Sequence, residues 1–285
     1  MIPGGALLLN ASGCLDALAA PEVARSLDAF VTKTITPLPR EGNPPPRIAE
    51  VEGGMLNSIG LQGPGIDRFL VEVLPRLNQL GLPLWVSVGG FSASDYAESC
   101  GRLDGEAIAA IELNLSCPNV EEAPETAAQI VAACRGQTGK PLFAKLSPAT
   151  TDIGGTARAV EAAGADGLSL VNTLRGLSLD ERTLEPRLGT GGGGYSGPAL
   201  KPVALACVHA CARATQLPIV AMGGVMTGRD ALDLIAAGAS AVALGTVLFT
   251  DPGAPVRIRA ELEAGAAAHG FAAPLLARGR AKGPL

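Results

Sequence analysis

The sequence predicts an α/β chain that closes into a single (β/α)8 barrel over residues 1–285, with its catalytic face at the C-terminal ends of the strands. Three observations lead there. Short apolar runs alternate with longer amphipathic or alanine-rich stretches, eight times along the chain. Each apolar run ends in a polar or glycine-containing cluster. The 285 residues are 47% hydrophobic but only 3% aromatic, so a core of Leu, Val, Ile and Ala is required. Branched aliphatic residues of that kind fill parallel barrels, which typically need about 250 residues.

The strands are expected at Ala6–Asn10, Ala29–Lys33, Leu84–Val88, Ala109–Asn114, Leu142–Leu146, Gly167–Val171, Leu217–Met222 and Ala241–Leu244. Near-continuous apolar strands alternating with helices indicate a parallel sheet covered on its outer face. Helices are expected at Pro64–Leu80, Thr126–Arg135, Ile153–Ala163, Ala199–Ala214 and Thr227–Ala237. Glycine in Ala163–Asp166 and Ala237–Ser240 falls where a helix ends and a strand soon begins. An open doubly wound sheet is the structural alternative, but its glycine fingerprint after the first strand is missing. Two stretches, Thr34–Gly63 and Leu174–Pro198, read as irregular connections. Loops of that length in compact domains are usually functional, and on a TIM barrel they would cover the catalytic face.

Charge and cysteine usage narrow the function classes. The formal charge is −5 with no basic block, which leaves no electrostatic footprint for nucleic acid. No apolar run reaches the roughly 20 residues of a membrane helix, and Met1–Asn10 carries no basic residue or cleavage pattern. A cytoplasmic protein with no membrane partner is therefore expected. The six cysteines form no CxxC pair, so no metal site is expected, and Cys207 and Cys211 read as core residues on a helix.

The strand ends carry the chemistry. They deliver Asn10–Gly13, Thr32–Thr34, Ser87–Gly90, Asn114–Asn119, Lys145–Pro148, Asn172-Thr173, Gly223-Gly224 and Gly245-Thr246. Gly223-Gly224 and Gly245-Thr246 follow the seventh and eighth strands, where barrels of this class bind phosphate through backbone amides and a helix N-terminus. Lys145 ends an apolar strand and would enter the barrel mouth, where an ammonium needs an anionic partner. The negative pyrimidine edge of a reduced flavin is one such partner; a Schiff-base role is the other. Asn57, Asn114, Asn119 and Asn172 favour recognition of a planar, hydrogen-bonding heterocycle.

At these residues the sequence resembles the dihydroorotate dehydrogenases, specifically the soluble class 1 enzymes. The matching pieces are Asn10–Gly13, Thr32–Thr34, Gly42–Arg47, Leu56–Leu61, Glu112–Asn119, Ala144–Pro148, Val171–Leu174, Ser196–Pro202, Gly223–Val225 and Ala243–Thr246. They run in order from residue 6 to about residue 255. The resemblance implies FMN as prosthetic group and oxidation of (S)-dihydroorotate to orotate in pyrimidine synthesis. FMN would meet Ser12, Lys33, Thr34, Asn114, Lys145, Val171, Gly197, Gly223, Gly224, Gly245 and Thr246. Substrate would meet Lys33, Asn57, Ser58, Ile59, Gly60, Leu61, Asn114, Asn119, Asn172 and Thr173. Cys117 would remove the C5 proton while hydride leaves C6, with Lys145 stabilising the flavin anion. Membrane-bound members carry serine and an N-terminal anchor instead.

Within class 1, Val171–Pro202 and Pro218–Val225 resemble class 1B, whose barrel subunits pass electrons to NAD+. They do so through a partner subunit carrying FAD and a [2Fe-2S] cluster. The expected assembly is a homodimer, extended to a heterotetramer by that partner. Class 1A enzymes, which use fumarate, usually carry a Gly-Lys-Pro-Gln segment after the catalytic motif, and it is missing here. Two departures stand out. The loop Val120–Glu125 is several residues shorter than its class 1B counterpart, and the N-terminal hairpin that caps the barrel bottom in the family is not found ahead of the first strand. Three rivals remain. A dihydropyrimidine dehydrogenase-type barrel would share FMN and cysteine but typically has histidine at the place of Asn119. A cofactor-free phosphate-binding lyase or isomerase would lack flavin. An inactive scaffold is opposed by the intact Cys117, Lys145 and asparagine set.

Overall fold

The computed structural model describes residues 1–5, 7–115 and 124–283. In chain order the strands are β1 (Leu8–Asn10), β2 (Phe30–Val31), β3 (Ile48–Val51), β4 (Gly54–Asn57), β5 (Leu84–Val88), β6 (Ala110–Asn114), β7 (Leu142–Leu146), β8 (Gly167–Leu170), β9 (Leu174–Gly176), β10 (Gly193–Ser196), β11 (Ile219–Ala221) and β12 (Ala241–Leu244). The helices are α1 (Pro21–Arg25), α2 (Gly65–Arg68), α3 (Leu74–Asn78), α4 (Ala93–Leu103), α5 (Pro124–Arg135), α6 (Ile153–Ala162), α7 (Lys201–Ala214), α8 (Gly228–Ala237), α9 (Val247–Thr250) and α10 (Ala254–Ala268). Eight strands pair in the order β1-β12-β11-β8-β7-β6-β5-β2, all parallel. These are the eight expected strands, three of them with the expected bounds.

Side-chain parity divides the core in two. Leu9, Val31, Trp85, Ala110, Phe143, Val220 and Ala243 form one buried cluster, the barrel interior. Their strand neighbours, such as Leu8, Leu84, Val86, Ile111, Leu142 and Leu168, form the larger cluster under the helices. Strand geometry sends alternate residues to opposite faces, so both faces of each strand are buried and the runs read as uniformly apolar. The interior is filled from below: Ile2 is buried within it, and the Trp85 and Phe143 rings meet at 4.4 Å between centroids. Ile2 thus packs into the bottom of the barrel, ahead of β1.

The seam between β1 and β2 is closed largely by a side chain. Only the Leu9–Ala29 bridge joins these strands as backbone partners. Asn10, fully buried, donates from Nδ2 to the Val31 carbonyl at 2.7 Å and accepts the Val31 amide at Oδ1 at 2.8 Å. Its amide group takes the place of one rung of the ladder. Below it, Asp28 accepts the Leu7 and Leu8 amides at 3.0 and 2.9 Å and pairs with Arg259 of α10 at 2.9 Å.

Two expectations are corrected. The stretches Thr34–Gly63 and Leu174–Pro198 are not structureless; they supply an antiparallel sheet of order β3-β4-β10-β9. Gly53 turns at φ 70 to complete the β3–β4 hairpin, and a Cβ at Gly54 would strike the Ser196 carbonyl at 1.9 Å. Glycine is what lets β4 and β10 approach. The helix expected at Pro64–Leu80 is interrupted by a π-helical turn at Phe69–Val73, between α2 and α3. Pro75 follows at the start of α3, where its missing N–H breaks the regular ladder. Cys207 and Cys211 are buried on α7, as expected. No helix among the described residues is long and apolar enough to cross a membrane.

Candidate functional site

A cavity of about 370 Å³ opens at the C-terminal ends of the barrel strands, a size typical of small-molecule and cofactor sites. It is lined by Ser12 after β1, Lys33 and Thr34 after β2, Asn57 at the end of β4, and Asn114 at the end of β6. Lys145 on β7, Val171, Asn172 and Thr173 after β8, Gly197 after β10, and the two glycine turns complete the polar wall. Ile59 and Leu61 line it from the loop after β4. The barrel strand ends reach it because parallel strands in a barrel all finish on the same rim, and β4 and β10 of the antiparallel sheet bring Asn57 and Gly197.

The expected residues divide into three groups. Those just named all meet in this one cavity. Ser58 and Gly60 do not line it; Ser58 bonds Asn43 and Thr190, and the Gly60 carbonyl accepts from Arg40. They shape the loop that carries Ile59 and Leu61. Cys117 and Asn119 lie outside the described residues, as does most of the shortened segment Val120–Glu125.

A hydrogen-bonded chain fixes the asparagines. Asn172 donates to Asn114 Oδ1 at 3.0 Å, and Asn114 donates to Thr34 Oγ1 at 3.2 Å. Thr34 in turn meets Ser87 Oγ at 3.0 Å. The buried Tyr96 hydroxyl of α4 donates to the Asn114 carbonyl at 2.7 Å, holding the strand end from outside. Asn172 Oδ1 accepts the Thr173 amide, so its amide group has a defined orientation. Such preset side chains can read the edges of a heterocycle with little reorganisation.

Two lysines face the cavity in different settings. Lys145 is buried and donates to Ser12 Oγ at 2.8 Å, with Glu112 Oε1 at 3.6 Å. Lys33 is held below the ordinary lysine value, chiefly by burial and then by the Arg47 charge. Anions are therefore favoured near both. Cys14 also lines the cavity, and burial pushes its thiol up to about 11, with Lys145 opposing and Glu112 adding. Cys14 stays a neutral thiol at physiological pH and does not serve as a base there.

The glycine turns suit a phosphate. Gly223 and Gly224 have φ of 118 and 78, and a Cβ on Gly224 would lie 2.6 Å from the Lys201 amide nitrogen. The cradle is open only because no side chains stand there. One expectation shifts: the N-terminus of α8 is closed by its own capping box, Thr227 with Asp230, and Asp230 also binds Lys201 at 2.6 Å. Beside Gly223-Gly224 the amides left to serve an anion are those of the turn itself, which precedes that cap, whereas the start of the short α9 after Gly245-Thr246 carries no side-chain cap. Sequence reasoning did not single out Met55, Gln62, Ser196, Met222 and Phe249, which also line the cavity. Ser196 accepts a hydrogen bond from Thr246 at 2.9 Å across the site. Met222 was legible as the last inward residue of its strand; Met55 and Gln62 gave no local signal.

Comparison with known proteins gives one consistent family. The family profile described as dihydroorotate dehydrogenase matches residues 6–265. The chain is 44% identical over 267 residues to the Listeria welshimeri protein named dihydroorotate dehydrogenase B (NAD(+)), catalytic subunit, covering 88% of this chain and 87% of that one. A protein of the same name from Desulforudis audaxviator is 47% identical over 245 residues, covering 83% and 80%. Among solved structures, a dihydroorotate dehydrogenase from Eimeria tenella in complex with ferulenol matches with a TM-score of 0.81. That match has 26% identity and covers 96% of this chain and 84% of that one.

Proposed function

Because the chain belongs to the dihydroorotate dehydrogenase family, we propose that it is the catalytic subunit of a class 1B enzyme. It oxidises (S)-dihydroorotate to orotate in pyrimidine synthesis, holds FMN, and passes electrons to NAD+ through a partner subunit bearing FAD and a [2Fe-2S] cluster. The observation that supports this best is the convergence of Lys33, Lys145, Asn57, Asn114, Asn172 and two glycine turns on one cavity. That donor set suits a phosphorylated planar cofactor stacked with an anionic heterocyclic substrate. The barrel subunits pair as a homodimer in the cytoplasm, and the partner completes a heterotetramer.

The residues divide the work. The turns at Gly223-Gly224 and Gly245-Thr246 receive the FMN phosphate, and Ser12, Thr34, Val171 and Gly197 border the ring system. Lys33 pairs with the substrate carboxylate, while Asn57, Asn114, Asn119, Asn172 and Thr173 hold the ring amides. Ser58 and Gly60 support Ile59 and Leu61 from behind. Cys117, by its place in the family motif, takes the proton from C5. FMN, when bound, supplies the acceptor for the hydride leaving C6, and the C5–C6 bond becomes double. Lys145 presents positive charge toward the pyrimidine edge, where negative charge accumulates on reduction. Holding C5 and C6 in one orientation supplies much of the rate.

The test begins with colour. The purified protein should be yellow and should bleach anaerobically when dihydroorotate is added. Cys117→Ala should keep FMN but lose nearly all dihydroorotate-driven bleaching; an undiminished stopped-flow rate would overturn the base assignment. Assays of the complex purified from its native source, with NAD+ and with fumarate, separate class 1B from class 1A. Dihydrouracil as the better reductant would favour a dihydropyrimidine dehydrogenase reading, and a colourless protein would favour the lyase or isomerase one.

A further inference from the structure

Beneath Lys145 the barrel holds a carboxylate that the reaction above leaves unused. Glu112 lies on β6 between Ala110 and Asn114, with the same inward parity. It is 1% exposed, and its Oε1 has no hydrogen-bond partner among the described residues. The floor below it is apolar, built from Trp85, Ala110 and Phe143. Its neighbours in register are Ser87 on β5 and Phe143 on β7. A carboxylate at that depth is tolerated only opposite a cation, and Lys145 Nζ stands 3.6 Å away.

The lysine's donors can be accounted for one by one. An ammonium has three N–H groups. One goes to Ser12 Oγ at 2.8 Å, while Glu112 at 3.6 Å faces the ammonium as a charge partner without a hydrogen bond. The other N–H groups are left for the cavity that Lys145 lines. Two partners, one after β1 and one on β6, restrict a side chain that otherwise has many rotamers.

We propose that Glu112 is the positioning residue of the site: it holds the Lys145 ammonium at the cavity floor and offsets part of its charge. The ligand edge above Lys145 then meets a screened, oriented cation. Removing the carboxylate while keeping the lysine strengthens the field on that edge. This rests on the flavin reading given above.

Sulfite is the probe, because it bleaches oxidised flavin and leaves negative charge on the pyrimidine side. Glu112→Gln, purified with FMN, should bind sulfite at least about tenfold more tightly than the unchanged protein. Its flavin midpoint potential should move upward. Glu112→Asp, whose shorter carboxylate draws back from Nζ, should shift in the same direction by at least about threefold. In a Lys145→Met background no ammonium is left to hold, so an effect that runs through the lysine disappears. There the Gln substitution should change sulfite affinity less than about threefold. Unchanged or weaker sulfite binding in Glu112→Gln overturns the proposal. If that variant does not fold, the same result in Glu112→Asp overturns it. An equal shift without Lys145 also overturns it. A colourless unchanged protein would instead defeat the flavin reading, so the two failures are distinguishable.

Discussion

Lys33 is exposed at the cavity with a second cation, Arg47, nearby, and partial loss of hydration outweighs Arg47 in lowering its proton affinity. The consequence has a sign. An anionic substrate binds the protonated form, so orotate affinity is full below the depressed Lys33 value and falls as pH rises through it. The fall should begin below the ordinary lysine value of about 10.4. Titration of orotate binding by flavin absorbance across alkaline pH measures this; affinity flat to the ordinary lysine value would refute it. Lys33→Arg, which stays charged, should remove the fall. Gly245 offers a second residue-level test. A Cβ there meets only Ala11 Cβ at 3.6 Å and Cys14 Sγ at 3.7 Å, both cavity-lining contacts of ordinary length. Gly245→Ala should therefore keep its melting temperature yet retain FMN less tightly, read by flavin content after dialysis.

Helix α8 shows what a single element contributes. It begins at Gly228, shortly after the Gly223-Gly224 turn; Asp230 accepts the Met226 and Thr227 amides, Thr227 Oγ1 accepts the Asp230 amide, and Glu261 of α10 accepts the Gly228 amide at 2.7 Å. Asp230 also anchors Lys201 at the start of α7, together with Asp233 at 2.8 Å. The cap thus holds two helix starts beside the glycine turn without facing the cavity. Thr227→Ala should cost about 1 kcal/mol of stability, seen as a lower urea midpoint, with FMN affinity unchanged. A matching loss of FMN would mean that the α8 terminus itself grips the phosphate. The capping signal Thr227-Gly228-Arg229-Asp230 was legible locally, whereas its competition with a phosphate role was not.

Across the whole molecule the barrel depends on its seam. Asn10 replaces a missing ladder rung between β1 and β2, and Asp28 with Arg259 ties the first strands to the last long helix. Asn10→Ala would orphan two buried groups of Val31, each costing about 1–3 kcal/mol. A loss of at least about 2 kcal/mol in chemical unfolding is expected, and a loss under about 0.5 kcal/mol would refute the seam role. In sequence Asn10 looked like one more polar strand end on the catalytic rim. Its outward parity, opposite to Leu9 and Ala11, separates it from the cavity residues.

The sequence alone determined the eight barrel strands, the rim on which polar residues gather, and the family motifs, because each depends on contiguous residues and short periods. Uniformly apolar runs of four to six residues declare strands buried on both faces, and the turn residues that follow declare the rim. Only the tertiary structure decided that β4 pairs with β10, with Asn57 opposite Gly194, and that two stretches read as irregular form one sheet beside the site. It also decided that Glu112 meets Lys145, Tyr96 braces Asn114, and Asn10 closes the barrel. These are contacts between segments far apart in the chain. Chain closure sets their partners, and no local period encodes them.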